Sequence, residues 1–199
     1  MGMESHDGGG EEKVSRTPEF TDLSRLCAEL NRLGARYVVV GGFAIIQHGF
    51  QRFTNDIDLL VETTPENEAR VIQALLILPD RASAQIKPGD VAEFGVVRVG
   101  DEVLVDLMKS ACGLTYADAA ADAVMAEVDG VRIPFASAAT LWRMKKTVRE
   151  KDIPDRRFLR ELLTSQGVQI EPPGQTQPSD PFTRWLQRLK AWWRGPPRS

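Results

Sequence analysis

Asp56 and Asp58 stand two residues apart in the run Asp56-Ile57-Asp58-Leu59-Leu60-Val61, and a third aspartate, Asp106, sits inside Val103-Leu104-Val105-Asp106-Leu107-Met108. Alternate side chains of an extended chain share a face. Both carboxylates of the first run therefore project from one side, with Ile57, Leu59 and Val61 on the other. In the second run Val103, Val105 and Leu107 share a face and Asp106 opposes them. Neighbouring carboxylates raise each other's pKa unless a cation neutralises them. Mg²⁺ or Mn²⁺ is the economical cation, because Mg²⁺ is commonly held by one or two carboxylates together with substrate phosphates. Two solvated carboxylates on a strand are the plain alternative, and the scarcity of Asp in strands speaks against it. If the two runs lie side by side, three carboxylates converge at one end of a sheet. That layout suits metal-assisted in-line displacement at phosphorus.

A second chemical feature comes just before the aspartates. The apolar run 37–40 reads as a buried strand, Gly41-Gly42 breaks it, and 43–48 reads as a short apolar helix closed by Gly49. Strand, glycine pair and helix together can cradle a phosphate: glycine lets the backbone approach closely, and a helix start offers free N–H groups. Most Gly-Gly pairs are only turns. His48 reads either as a satisfied imidazole at a helix end or as a neighbour of the nucleotide. Arg52 could pair with Asp56 or Asp58 or reach a phosphate, and Thr54 lies beside it. The densest positive cluster is Lys145, Lys146, Arg149 and Lys151; Lys145 and Arg149 share a helix face opposite Leu141, Met144 and Val148. This cluster either offsets phosphate charge or is a solvated helix face. Lys151, Asp152 and Asp155 read as local ion pairs.

The elements that must position these groups follow from periodicity and turn chemistry. Helices are predicted over 21–33, capped by Thr21 or Asp22 and ended by Gly34, and over 65–78 with Pro65 at the start. The aspartate pair lies on a strand over 56–61, and 94–99 with 103–108 form a hairpin around Gly100-Asp101. Residues 115–121 are helical, and 124–128 with 131–135 form a hairpin around Asp129-Gly130. Ser137 caps a helix to about residue 151, and Pro154 begins another to about 165. The fold class is α/β: a small mixed twisted sheet with packed helices, followed by a helical C-terminal segment.

Composition sets the frame. At 199 residues, 42% hydrophobic and 27% charged, the chain reads as one globular domain able to bury its own core. Residues 1–17 are rich in Gly and Glu and are expected to be disordered, with the folded domain over 18–168. A Pro-rich linker over 169–181 leads to a basic amphipathic, Trp-rich tail helix over 182–199, suited to docking on its own domain, a partner or a membrane surface. No apolar run approaches a membrane span, the N-terminus lacks signal-peptide character, and Cys27 and Cys112 read as two buried small hydrophobes. A cytoplasmic setting is expected. Residues 1–140 carry 12 Lys/Arg against 22 Asp/Glu (net −10), whereas 141–199 carry 13 against 6 (net +7). The basic half suits RNA or protein as a partner, or is a solvated face with a basic tail.

The string from Gly41 to Leu59, G-G-x-A-x-x-x-H-G-x-x-R-x-T-x-D-I-D-L, resembles the nucleotidyltransferases of the DNA polymerase β-like fold. Within them it is similar to the small prokaryotic group that includes AbiEii-type toxins, and residues 144–155 resemble that group's Lys-rich helix followed by R-x-K-D-x-x-D. The two motifs bracket residues 37–163. The resemblance implies phosphate contacts at Gly41 and Gly42, metal ligation by Asp56 and Asp58 with Asp106 as the third carboxylate, and a phosphate contact from Lys145 or Lys146. Arg52, Thr54 and Arg149 join the nucleotide-binding set. Phe43 stands where the superfamily usually has Ser, which removes one expected phosphate ligand. The activity implied is transfer of a nucleoside monophosphate from an NTP to a hydroxyl of RNA, tRNA or protein, with an antitoxin as a further partner if the chain is a toxin. A small-molecule, antibiotic-type nucleotidyltransferase and a non-catalytic nucleotide-binding module are the alternatives.

Overall fold

The structure is a computed structural model that describes residues 14–145 and 150–169. The chain opens with helix α1 (Phe20–Arg32), strand β1 (Tyr37–Val39), helix α2 (Gly41–Gln47), strand β2 (Asp56–Val61) and helix α3 (Pro65–Leu75). Helix α4 (Asp90–Phe94), strands β3 (Val96–Gly100) and β4 (Leu104–Met108), and a small hairpin of β5 (Ser110–Ala111) and β6 (Leu114–Thr115) follow. Helix α5 (Tyr116–Ala120), strands β7 (Val124–Val128) and β8 (Val131–Phe135), and helices α6 (Ala138–Met144) and α7 (Ile153–Ser165) come next among the described residues. Among the described residues the main sheet has six strands in the order β3-β4-β2-β1-β8-β7. Its pairs β2/β4 and β1/β8 are parallel and the others antiparallel, so the sheet is mixed, as expected.

Local chemistry accounts for most boundaries. In α1 the helical spacing of Leu23, Leu26, Cys27 and Leu30 becomes a buried stripe, and Gly34 at φ +66° ends the helix. The cap is Glu19 rather than Thr21 or Asp22: Asp22 sits one turn in and accepts the Glu19 N–H at 2.8 Å. Thr64 caps α3, with Pro65 in its first turn. Asp129 and Gly130 both have positive φ, the conformation a tight hairpin turn demands. Ile57, Leu59, Val105 and Leu107 are fully buried at the sheet centre, each burial stabilising by roughly 1.5–3 kcal/mol.

Four further expectations need correction. Residues 15 and 16 fall in the segment expected to be disordered. Yet Ser15 Oγ donates to Asp101 O at 2.7 Å, and Arg16 bridges Val103 and pairs with Asp22 and Glu102. Residues 94–95 do not open a strand; they close α4, because Gly95 at φ +79° turns the chain. The helix capped by Ser137 ends at Met144 instead of near residue 151; the Lys145 carbonyl accepts Arg156 Nη1 at 2.8 Å. Cys27 is buried as expected, but Cys112 is exposed, in a left-handed turn at φ +49°.

Contacts divide the chain at residue 162/163. Of the second unit, the described part is the end of α7 and the four residues after it. The Pro-rich stretch from residue 170 and the Trp-rich tail lie outside the described residues, as do residues 1–13. Among the described residues, no helix is long and apolar enough to cross a membrane.

Candidate active site

The parallel pairing of β2 with β4 sets Asp58 directly opposite Asp106, two residues along from the Asp56–Leu104 pair. Carboxylate oxygens of Asp56, Asp58 and Asp106 all lie within 4.8 Å of one another. The adjacency that spacing alone left open is thus realised by the sheet. The three groups open into a cleft of about 450 Å³ whose walls include Gly41, Gly42, Thr54, Arg98 and Lys145.

The glycine pair is fitted to the aspartates. Gly41 adopts φ +61°, and a Cβ there would stand 1.8 Å from Asp58 Oδ2. A Cβ on Gly42 would stand 2.2 Å from Thr54 Oγ1. The Thr54 hydroxyl donates to the Asp56 carbonyl at 3.2 Å, which fixes the side chain that packs against Gly42. Phe43 is buried and packs edge-on against Phe20 at 5.1 Å between ring centroids. It belongs to the core rather than to the cleft wall.

Electrostatics mark Asp58 as the strained member. Burial pushes its carboxyl up to about 7, and the charges of Asp56 and Asp106 add to the rise; a backbone hydrogen bond from Gly42 and the charge of Lys145 oppose it. Such a group lacks full charge compensation. Part of the compensation comes from Arg98, which β3 places in register with Asp106. Its guanidinium grips Asp106 with two hydrogen bonds, Nε to Oδ1 at 2.8 Å and Nη2 to Oδ2 at 2.7 Å, and lies 3.5 Å from Asp56 Oδ2. Three hard oxygen donors converging at this distance, already drawing a cation to themselves, fit Mg²⁺ or Mn²⁺.

Other predicted residues take different positions. Arg52 lines the cleft but pairs with neither Asp56 nor Asp58; its Nη1 bonds Asp155. Lys145 also lines the cleft, immediately beyond the end of α6, with Nζ 2.8 Å from Asp152 and 2.7 Å from Asp155. Asp155 is only 1% exposed. Asp152 and Asp155, read from the sequence as members of local ion pairs, are partners of Lys145 in a buried ion network. A buried carboxylate at Asp155 needs both cations, which is why Arg52 turns from the triad. His48 directs Nε2 to the Ala136 carbonyl at 2.9 Å, a structural tie. Lys146 and Arg149 lie outside the described residues.

Arg98 escaped the sequence reading altogether. A two-residue turn at Gly100-Asp101 would set it opposite Val103. The observed register pairs Gly100 with Leu104, which moves Arg98 opposite Asp106. The Asp101 carboxylate holds this wider turn, accepting the N–H groups of Asp80, Ala82 and Glu102 at 2.8–2.9 Å. An Arg inside a strand that shares a hairpin with an Asp was the available signal.

Among solved structures, the chain is similar to the antibiotic-resistance factor ANT(2'')-Ia in solution, with TM-score 0.49 and 14% identity over 88% of this chain and 97% of that one. It is also similar to ANT(2'')-Ia in complex with adenylyl-2''-tobramycin (TM-score 0.46, 16% identity, 88% and 96% covered). An antigenic nucleotidyltransferase-like protein from Paracoccidioides brasiliensis gives TM-score 0.46 and 16% identity, with 87% of each chain covered. No family model matches the chain, and no curated protein matches it.

Proposed function

We propose that this protein is a divalent-cation-dependent nucleotidyltransferase that moves a nucleoside monophosphate from an NTP to a hydroxyl of an RNA, tRNA included, or of a protein. The observation that carries this reading is the convergence of Asp56, Asp58 and Asp106 within 4.8 Å, beside a glycine turn that admits no side chain. Asp56, Asp58 and Asp106 would hold Mg²⁺ or Mn²⁺. Such a cation, when bound, neutralises phosphate charge and aligns the groups of an in-line displacement.

The chain's own residues supply the rest. Gly41 and Gly42 let the backbone pack directly against Asp58 and Thr54 at the cleft wall, where in this reading the polyphosphate lies. In the displacement the acceptor oxygen bonds to the α-phosphorus, the bond from that phosphorus to the β-phosphate oxygen breaks, and pyrophosphate leaves. The acceptor's proton passes to a carboxylate of the triad, with Asp106 in this role. Lys145, and in this reading Lys146 and Arg149, offset charge on the triphosphate. The net +7 of residues 141–199 favours a polyanionic acceptor. The motif resemblance further supports a role as the toxin of a toxin–antitoxin or phage-defence pair.

The test is incubation with each NTP labelled at the α-phosphate, separately with total RNA, total protein and a polycationic small molecule. Label entering RNA or protein with wild type, and none with Asp58→Asn, is the expected result. Labelling of the small molecule alone would move the reading to an antibiotic-type transferase. Labelling that survives Asp58→Asn would overturn the site.

A further inference from the structure

The Arg98–Asp106 pair carries a consequence for how the cleft is loaded. Every described cation on the cleft wall already has an anionic partner: Arg52 bonds Asp155, Lys145 bonds Asp152 and Asp155, and Arg98 bonds Asp106 and approaches Asp56. The first two belong to the buried network around Asp155. Arg98 differs in two ways. Its partners are the carboxylates that would hold the metal, and its side chain is 58% exposed, against 13% for Lys145. It also uses both oxygens of Asp106, so neither is free of the guanidinium.

Resting on the nucleotidyltransferase reading, we infer that Arg98 is a resident counter-ion of the triad that changes partners on loading. In the unloaded protein it holds Asp106 and competes with a divalent cation for that carboxylate. When the cation arrives with nucleotide, Arg98 releases Asp106 and its guanidinium turns to the polyphosphate. The charges favour this exchange. A triphosphate brings about four negative charges and one divalent cation offsets two of them, so a cation displaced from the carboxylates has an anion at hand. Arg suits the task because its planar fork pairs equally well with carboxylate and phosphate. More than half of its side chain is exposed, on β3 at the edge of the sheet, so solvent rather than packed protein surrounds much of it. Metal alone would then bind weakly, and metal with nucleotide strongly. Arg98 is thus a binding residue for the polyphosphate as well as a guard on Asp106.

The experiment measures Mn²⁺ binding by electron paramagnetic resonance on the full chain at neutral pH, with and without a non-hydrolysable α,β-methylene NTP. Wild type, Arg98→Met, Arg98→Lys and Asp58→Asn are compared, with circular dichroism to confirm folding. Without nucleotide, Arg98→Met should bind Mn²⁺ at least fivefold more tightly than wild type. Arg98→Lys should also tighten it, because lysine keeps the charge but loses the two-pronged grip. With Mn²⁺ present, Arg98→Met should bind the analogue at least tenfold more weakly. Equal Mn²⁺ affinity in wild type and Arg98→Met overturns the competition, as does tightening in Arg98→Met alone, which a general field effect would produce. Unchanged analogue affinity overturns the exchange. Loss of Mn²⁺ binding in Asp58→Asn with no effect at Arg98 refutes this inference only; Mn²⁺ binding unaffected in Asp58→Asn removes the metal site and the proposed function with it.

Discussion

Gly41 and Asp58 are built against each other: the backbone of Gly41, at φ +61°, passes so near the carboxylate that a Cβ would stand 1.8 Å from Asp58 Oδ2. The glycine is required twice, once for a conformation that L side chains avoid and once for space. Its absence of a side chain is what allows a carboxylate to sit behind the turn.

Gly41→Ala should therefore cost about 1–3 kcal/mol of stability, read by urea unfolding. It should also weaken Mn²⁺ binding at least tenfold, because Asp58 must move to admit the methyl group. Wild-type Mn²⁺ affinity in this variant would show that the placement of Asp58 does not depend on Gly41.

Asp58 also makes stability depend on pH. Its carboxyl is pushed up to about 7 in the folded protein, against roughly 4 in an unfolded chain. A raised pKa means that the folded state holds the proton more tightly. The associated stability is complete below pH ~4 and is lost as pH climbs through about 7. Full burial would make this ~4 kcal/mol; the carboxylate keeps part of its hydration, so a loss on the order of 2 kcal/mol is expected. Relative to metal-free wild type, Asp58→Asn should gain that amount at pH 8 and little at pH 4. Thermal melts across that range provide the check. Mn²⁺ at pH 8 should raise the Tm of wild type and leave that of Asp58→Asn unchanged.

Asp155 holds Arg52 and Lys145 together beneath the cleft. Asp155→Ala leaves two cations short of an acceptor and should destabilise the protein by about 3 kcal/mol. In a double-mutant cycle, Lys145→Met and Asp155→Ala should couple by more than ~1 kcal/mol, whereas additivity within ~0.5 kcal/mol would break the link. Lys145→Met should in addition lower kcat/KM for the NTP by about tenfold, or ~1.4 kcal/mol. Wild-type kinetics would confine Lys145 to its structural pairing.

Glu68 provides a contrast away from the cleft. Its buried carboxylate accepts the N–H groups of Gly89, Val91 and Ala92 at 2.7, 3.2 and 3.0 Å, satisfying the start of α4. Glu68→Ala should cost about 2–3 kcal/mol, because three donors lose a charged acceptor. Mn²⁺ affinity should stay at the wild-type value; a fall would show that α4 and the triad are coupled.

Much of the frame was legible in the sequence. The period-2 alternation of 56–61 and 103–108 placed Asp56, Asp58 and Asp106 on strand faces opposite the core residues, because pleating leaves a side chain only two directions. Asp129-Gly130 marked its hairpin to the residue, because few sequences tolerate two successive positive φ values. The end of α6 was not legible: nothing in the helical spacing of 138–151 announces that the Lys145 carbonyl will be taken by Arg156, eleven residues on.

Residue type and local spacing thus determined the strands, the glycine turn and the carboxylates available for chemistry, since these depend on steric limits within a few residues. Tertiary structure alone decided which groups meet. Asp58 faces Asp106 because β2 and β4 pair in parallel, a contact across 48 positions of chain that no local rule encodes. Arg98 reaches Asp106 because a buried carboxylate, Asp101, sets the width of a turn. Arg52 pairs outside the triad because the fold brings Asp155, 103 positions away and almost fully buried, against its guanidinium. Electrostatic partners are chosen by distance and desolvation in the folded chain, and both quantities exist only once the sheet has formed.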